Sequence, residues 1–205
     1  MCNSHAWDTE KPEISFLKRA CFHESGHGVT QYLLGCELTG IKVNPVNKSG
    51  KCSRDCRPYI GLEIPSLRIA EIEREVLIFC GGAAAEWILT GVQDWDHQSS
   101  DYRHAVDILT PICEDEEEIS AYIELMLVRA RNFLNTPQHW RATVDLANSL
   151  IWLNDNDESW CENDAEGLAL DDCCESGRGL REMSGSEVEA VIRYALDKDK
   201  NTYDN

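Results

Sequence analysis

The stretch His23-Glu24-Ser25-Gly26-His27 sets two imidazoles four residues apart with a carboxylate directly after the first. On a helix each residue turns about 100° and rises about 1.5 Å, so His23 and His27 lie about 40° apart on one face and can converge on a single ion. Glu24 falls to their side. From there its carboxylate reaches a water held by that ion without taking a coordination position, which is the placement a hydrolytic general base needs. The chain's own His and Glu frequencies would produce the pattern by chance with a probability of about 0.02, before any helix is required. The plainer alternative is two ordinary helix histidines, and the helical context of the motif favours the metal.

A catalytic zinc takes three protein ligands and leaves the fourth position for water, so a third donor must come from elsewhere in the chain. Glu86, Asp94, Asp96, His97, Asp101 and His104 are the candidates. Residue chemistry alone does not choose among them. Glu86 sits inside a long helical pattern, whereas Asp101 sits in a first helical turn, where an acid favours the helix macrodipole whether or not it binds metal.

The elements that must position these groups are mostly helices. Apolar spacings of three and four predict a first helix over Ser15 to Leu34, with Phe16, Ala20, His23, His27 and Thr30 on one face and Gly35 as its stop. Leu38 to Val46 reads as a short strand. Asn47 to Pro65 reads as a loop with an edge strand near Tyr59 to Ile64. A long helix from Ser66 to Gly91 follows, and its centre, Gly81-Gly82-Ala83-Ala84-Ala85, is nearly free of side chains, which lets another backbone approach closely. Ser99-Ser100-Asp101 opens a helix running to Pro111, and two more are predicted over Glu116 to Leu134 and Pro137 to Leu153, the second with Thr136 as its N-cap. Asn154 to Arg181 is acidic and irregular; Ser184-Gly185-Ser186-Glu187 is a capping box for a last helix through Leu196.

With 205 residues and 42% hydrophobic content the chain can bury a core as one domain over residues 1–205, with no need of a disulfide or metal merely to fold. A net charge of −18 repels both a phosphate backbone and an anionic membrane surface, so nucleic acid is excluded as the expected partner. No apolar run approaches the roughly 20 residues of a membrane span, and Met1 to His5 does not open a secretory signal, which predicts a cytoplasmic protein. The ten cysteines are scattered, and Cys21, Cys36, Cys80 and Cys113 fall inside apolar patterns where a reduced thiol behaves as a small hydrophobe. Cys52 and Cys56 with Cys161 and Cys173 or Cys174 are a candidate second, structural zinc set, against the simpler reading of unconnected surface thiols. The acidic run Glu114 to Glu118 reads as a solvated helix start, and His104 and His139 as structural.

Ala20 to His27 with Val29 and Leu33-Leu34, then Gly81-Gly82-Ala83-Ala84-Ala85-Glu86, then Ser100-Asp101, and finally Met183 to Ala190 together resemble the zinc peptidase domain of the FtsH-type AAA proteases. The resemblance runs over residues 13–196, with 47–59 and 154–181 as loop-like insertions that have no counterpart. It implies a mainly α fold, a helical bundle with a small β element near the metal. It also implies a Zn2+ ion held by His23, His27 and Asp101, with Glu24 as general base. The family usually has Arg where this chain has Ala83, and Asn where it has Ser100. No G-x-x-x-x-G-K-S/T phosphate loop is present, so ATP hydrolysis by that route is excluded.

The expected activity is an ATP-independent zinc metallopeptidase acting on peptides or unfolded proteins, with a homo-oligomer left open. A non-catalytic binding or adaptor module acting with a separate partner is the competing class. A different zinc hydrolase with Glu86 as ligand is a third.

Overall fold

The computed structural model describes residues 14–45, 49–54, 65–93, 99–155 and 182–198. Within them the chain forms α1 (Phe16–Leu33), β1 (Leu38–Asn44), β2 (Ser49–Arg54), α2 (Pro65–Thr90), α3 (Ser100–Leu109), α4 (Glu116–Leu134), α5 (Pro137–Asp155), β3 (Glu182–Ser184) and α6 (Gly185–Asp197). The architecture is mainly helical with one small antiparallel sheet of strand order β2-β1-β3. Asp94, Asp96, His97, Cys56, Cys161, Cys173 and Cys174, and the strand expected at 59–64, lie outside the described residues.

Local chemistry sets the helix ends. The Ser15 hydroxyl accepts from Lys18 N at the start of α1, and Gly35, at φ +74°, ends it with Cys36 N donating to Gln31 O at 2.9 Å. Gly91, also at φ +74°, closes α2. Ser99 caps α3, Asp115 caps α4, and Ser184 with Glu187 forms the reciprocal capping box that opens α6. At the start of α5 the Thr136 carbonyl accepts from Trp140 N at 2.9 Å, and its hydroxyl donates back to Phe133 O at 3.5 Å.

Helix α1 is the centre of the fold. A single inward face is the expectation from its spacing, yet Cys21 to Gln31 is buried on nearly every side, with only His23 partly open. Three neighbours explain this. On one side Gly26 meets α2 so closely that a β-carbon there would stand 2.7 Å from Ala85 Cβ and collide with the Gly81 carbonyl. On another, a β-carbon at Gly28 would lie 2.7 Å from Ile41 Cδ1 of β1 and 3.3 Å from Leu146 Cδ2 of α5. The third side carries the histidines. The core fills in around this helix with Val29, Ile41, Val43, Val76, Leu146 and Ile192, all essentially inaccessible.

The strand β2 falls inside the segment expected to be loop. Its sequence, Ser-Gly-Lys-Cys-Ser-Arg, has no β-branched or aromatic residue, so local preference gives no strand signal. Pairing with β1 makes it a strand, in the register Ile41 to Cys52 and Val43 to Gly50. β3 is likewise short and polar, and forms by pairing Met183 with Ile41.

Candidate metal centre

Three elements that are distant in sequence meet at the open side of α1. The helix brings His23 and His27 together one turn apart, their ring centroids 4.7 Å from each other and the planes inclined at 74°. The N-terminal turn of α3, fixed by the Ser99 cap, brings Asp101 over them. His23 Nε2 stands 3.0 Å from Asp101 Oδ2, His27 Nε2 3.1 Å from the same oxygen, and the two Nε2 atoms 3.0 Å from each other. Among the described residues this is the group of His, Cys, Asp or Glu side chains whose donor atoms converge closely enough to hold a metal ion.

The donor set fits an ion. Ligand atoms at about 2.0 to 2.2 Å from a tetrahedral zinc stand about 3.3 Å apart, so the observed triangle needs to open by only a few tenths of an ångström. The outer ring nitrogens are also committed. His27 Nδ1 lies 2.8 Å from the carbonyl of Ile78, which can only accept, so the proton sits on Nδ1 and the Nε2 lone pair faces the triangle. His23 Nδ1 donates at 2.8 Å to Glu86 Oε1, and its Nε2 is directed the same way. Two lone pairs and a carboxylate oxygen held this close require a positive charge between them, supplied by a metal ion or by protons.

The electrostatics say the same. Burial works to lower His23, but hydrogen bonds to Asp101 and then Glu86 outweigh it and raise its pKa to about 10. His27 is also raised, against burial, chiefly by the charge of Asp101. Burial would lift Asp101, yet the charge of His27 and the hydrogen bonds from both imidazoles hold it far below the ordinary carboxylate range. Metal and protons compete for these lone pairs.

Glu24 projects beside the triangle, buried, against Gly50 of β2, and accepts a hydrogen bond from the backbone of Cys52. Burial raises its pKa, and the charges of His27 and His23 pull only partly against that. Gly82 of α2 closes the other wall: a β-carbon there would stand 2.5 Å from the Nε2 atoms of both His23 and His27. The four polar residues line an open cavity of about 950 Å³, shared with Gln31, Cys52, Arg54 and Phe79.

Glu86 does not join the triangle. It lies behind His23, bonded to the ring nitrogen that points away from the triangle, and to Arg19. His104, one turn after Asp101, lines the same cavity with its ring 5.2 Å from that of Phe79 and is not a member of the donor group. Arg19 and Gly50 are additions that motif spacing did not single out, and Gly82, expected to admit a close backbone, meets the imidazoles instead. For Arg19 a signal exists: it precedes His23 by four residues and shares its helix face. The described cysteines form no disulfide with one another; Cys21, Cys36 and Cys80 are buried, with burial pushing the Cys21 thiol up to about 12. No helix among the described residues is long and apolar enough to cross a membrane.

No protein-family model matches the chain, and no curated protein matches it significantly.

Proposed function

We propose that the protein is a zinc metallopeptidase of FtsH-like type that cleaves peptides or unfolded proteins without nucleotide. The observation that carries this reading is the buried Glu24 carboxylate set beside the converging donor atoms of His23, His27 and Asp101 at the wall of an open cavity. His23, His27 and Asp101 would hold the ion, which when bound polarises a carbonyl and lowers the pKa of a water toward about 7. Glu24 accepts a proton from the attacking water as its oxygen adds to the scissile carbonyl carbon, then donates that proton to the amine nitrogen as the C–N bond breaks. A carboxylate whose pKa is raised by burial suits a group that must hold a proton between two steps. An open cavity of about 950 Å³ has room for a stretch of extended chain, and the sequence itself holds no phosphate loop to couple cleavage to ATP. A docking module that cleaves nothing would have no use for a carboxylate held in that position.

The test is incubation of the purified full chain with casein in zinc-containing buffer, with no ATP. Cleavage that stops on chelation, returns with zinc and is absent from Glu24→Gln is the expected result. A zinc-loaded chain that leaves casein and short peptides intact would overturn the reading.

A further inference from the structure

The two oxygens of Glu86 are divided between two residues of the same helix. Oε1 accepts from His23 Nδ1 at 2.8 Å, and Oε2 accepts from both Nε and Nη2 of Arg19 at 2.8 and 2.7 Å. Arg19 and His23 stand one turn apart on α1, where side chains are neighbours about 5 to 6 Å apart, so α1 grips one carboxylate of α2 at two points. A terminal carboxylate torsion has broad, shallow preferences, and one hydrogen bond from His23 would leave Glu86 free to rotate about its last bond. The Arg19 pair removes that freedom. The Glu86 side chain is 20% exposed and that of Arg19 43%, so the pair is sheltered on the carboxylate side and open to solvent on the other, and its worth lies in the two-point geometry.

We propose that Arg19 is a positioning residue of the metal centre: by occupying Oε2 it fixes the Glu86 carboxylate so that Oε1 orients the His23 ring, without itself touching the ion. The inference rests on the metal reading above. A partner on the outer ring nitrogen sets a ligand's tautomer and aim, and its loss typically weakens metal affinity by about 10 to 100-fold.

The experiment measures zinc affinity by chelator competition, together with the visible spectrum of the cobalt-substituted form. It uses the full chain carrying Arg19→Ala, Arg19→Lys, Glu86→Ala, and the Arg19→Ala/Glu86→Ala pair, with circular dichroism as the check on folding. The expected result is a loss of about 10 to 100-fold in Arg19→Ala with a shifted cobalt spectrum, partial recovery in Arg19→Lys, and no further loss when Arg19→Ala is added to Glu86→Ala. Should Glu86→Ala not fold, Glu86→Gln takes its place in the cycle. Affinity in Arg19→Ala within about twofold of the parent, or losses that multiply in full in the double variant, would overturn the proposal while leaving the metal reading in place. A parent chain that takes up no zinc would remove both.

Discussion

Gly50 lies directly against the carboxylate of Glu24: a β-carbon at position 50 would stand 2.7 Å from Glu24 Cδ and 2.8 Å from Cγ. An edge strand of polar sequence therefore forms the wall that sets where this acid sits. The glycine is needed for room, since its backbone is ordinary strand. Gly50→Ala should push the carboxylate aside and lower peptidase turnover by about 100-fold, the usual cost of misplacing a reacting group by an ångström, while zinc content and fold stay as they are. Turnover and zinc content measured on one preparation check this; unchanged turnover would mean that Glu24 is not held by this contact.

Glu24→Gln keeps the shape of the side chain and removes its basicity. Zinc should remain bound, and activity should fall at least about 100-fold, the scale of a general base. Full activity in a preparation free of contaminating protease would end the assignment of Glu24.

Gly82→Ala separates fold from centre. Alanine is favoured over glycine inside a helix by about 0.8 to 1 kcal/mol, which offsets part of an overpacking cost of about 1 to 3 kcal/mol at this buried position, so the chain should still fold with at most a modestly lower melting temperature. The new methyl group would stand 2.5 Å from both Nε2 atoms, and the imidazoles must turn away from each other. Zinc affinity should therefore drop by at least about tenfold, the lower bound for disturbed ligand orientation. Equal affinity at equal stability would show that the site yields to the methyl group.

Asp101→Ala and Glu86→Gln distinguish ligand from support. Asp101 sits in the first turn of α3, where an acid contributes about 0.3 to 1 kcal/mol through the dipole, so a role confined to the helix start would leave metal binding intact. As a ligand it is the one anionic donor of three, and Asp101→Ala should purify folded but depleted of zinc and inactive. Glu86→Gln should keep one zinc per chain at reduced affinity. Metal analysis giving the reverse pattern would move the third ligand to Glu86.

Gly26→Ala tests the crossing of α1 and α2. Unlike the intrusion at Gly82, this one meets backbone, the Gly81 carbonyl, which cannot swing away. A loss of about 1 to 3 kcal/mol in unfolding free energy is expected from overpacking, read in a urea titration. A gain in stability would mean that the helices separate freely at this point.

Residue order alone made the local features legible. His23, Glu24 and His27 share a helix because a four-residue spacing is one turn, and Ser15, Gly35, Gly91 and the Ser184 and Glu187 box mark helix ends through bonds that span only a few residues. The run Gly81 to Ala85 announced a close backbone approach without saying to what. Contacts between distant elements show only in the fold. The donor group is the clearest case: on residue chemistry Glu86, Asp94, Asp96, His97, Asp101 and His104 stood level, and the FtsH-type resemblance implied Asp101. The crossing of α1 with α2 and the start of α3 then place Asp101 Oδ2 at the two Nε2 atoms and Glu86 on the far side of His23, across separations of 78 and 63 residues. Strand β2 was illegible because none of its residues favours a strand; it exists through pairing with β1, and with it comes the wall around Glu24. Spacing rules reach one or two turns of helix, whereas distances between elements are set by how closely backbones can pack. In this chain that closeness depends on glycines, at 26, 28, 50 and 82, whose purpose shows only once their neighbours are in place.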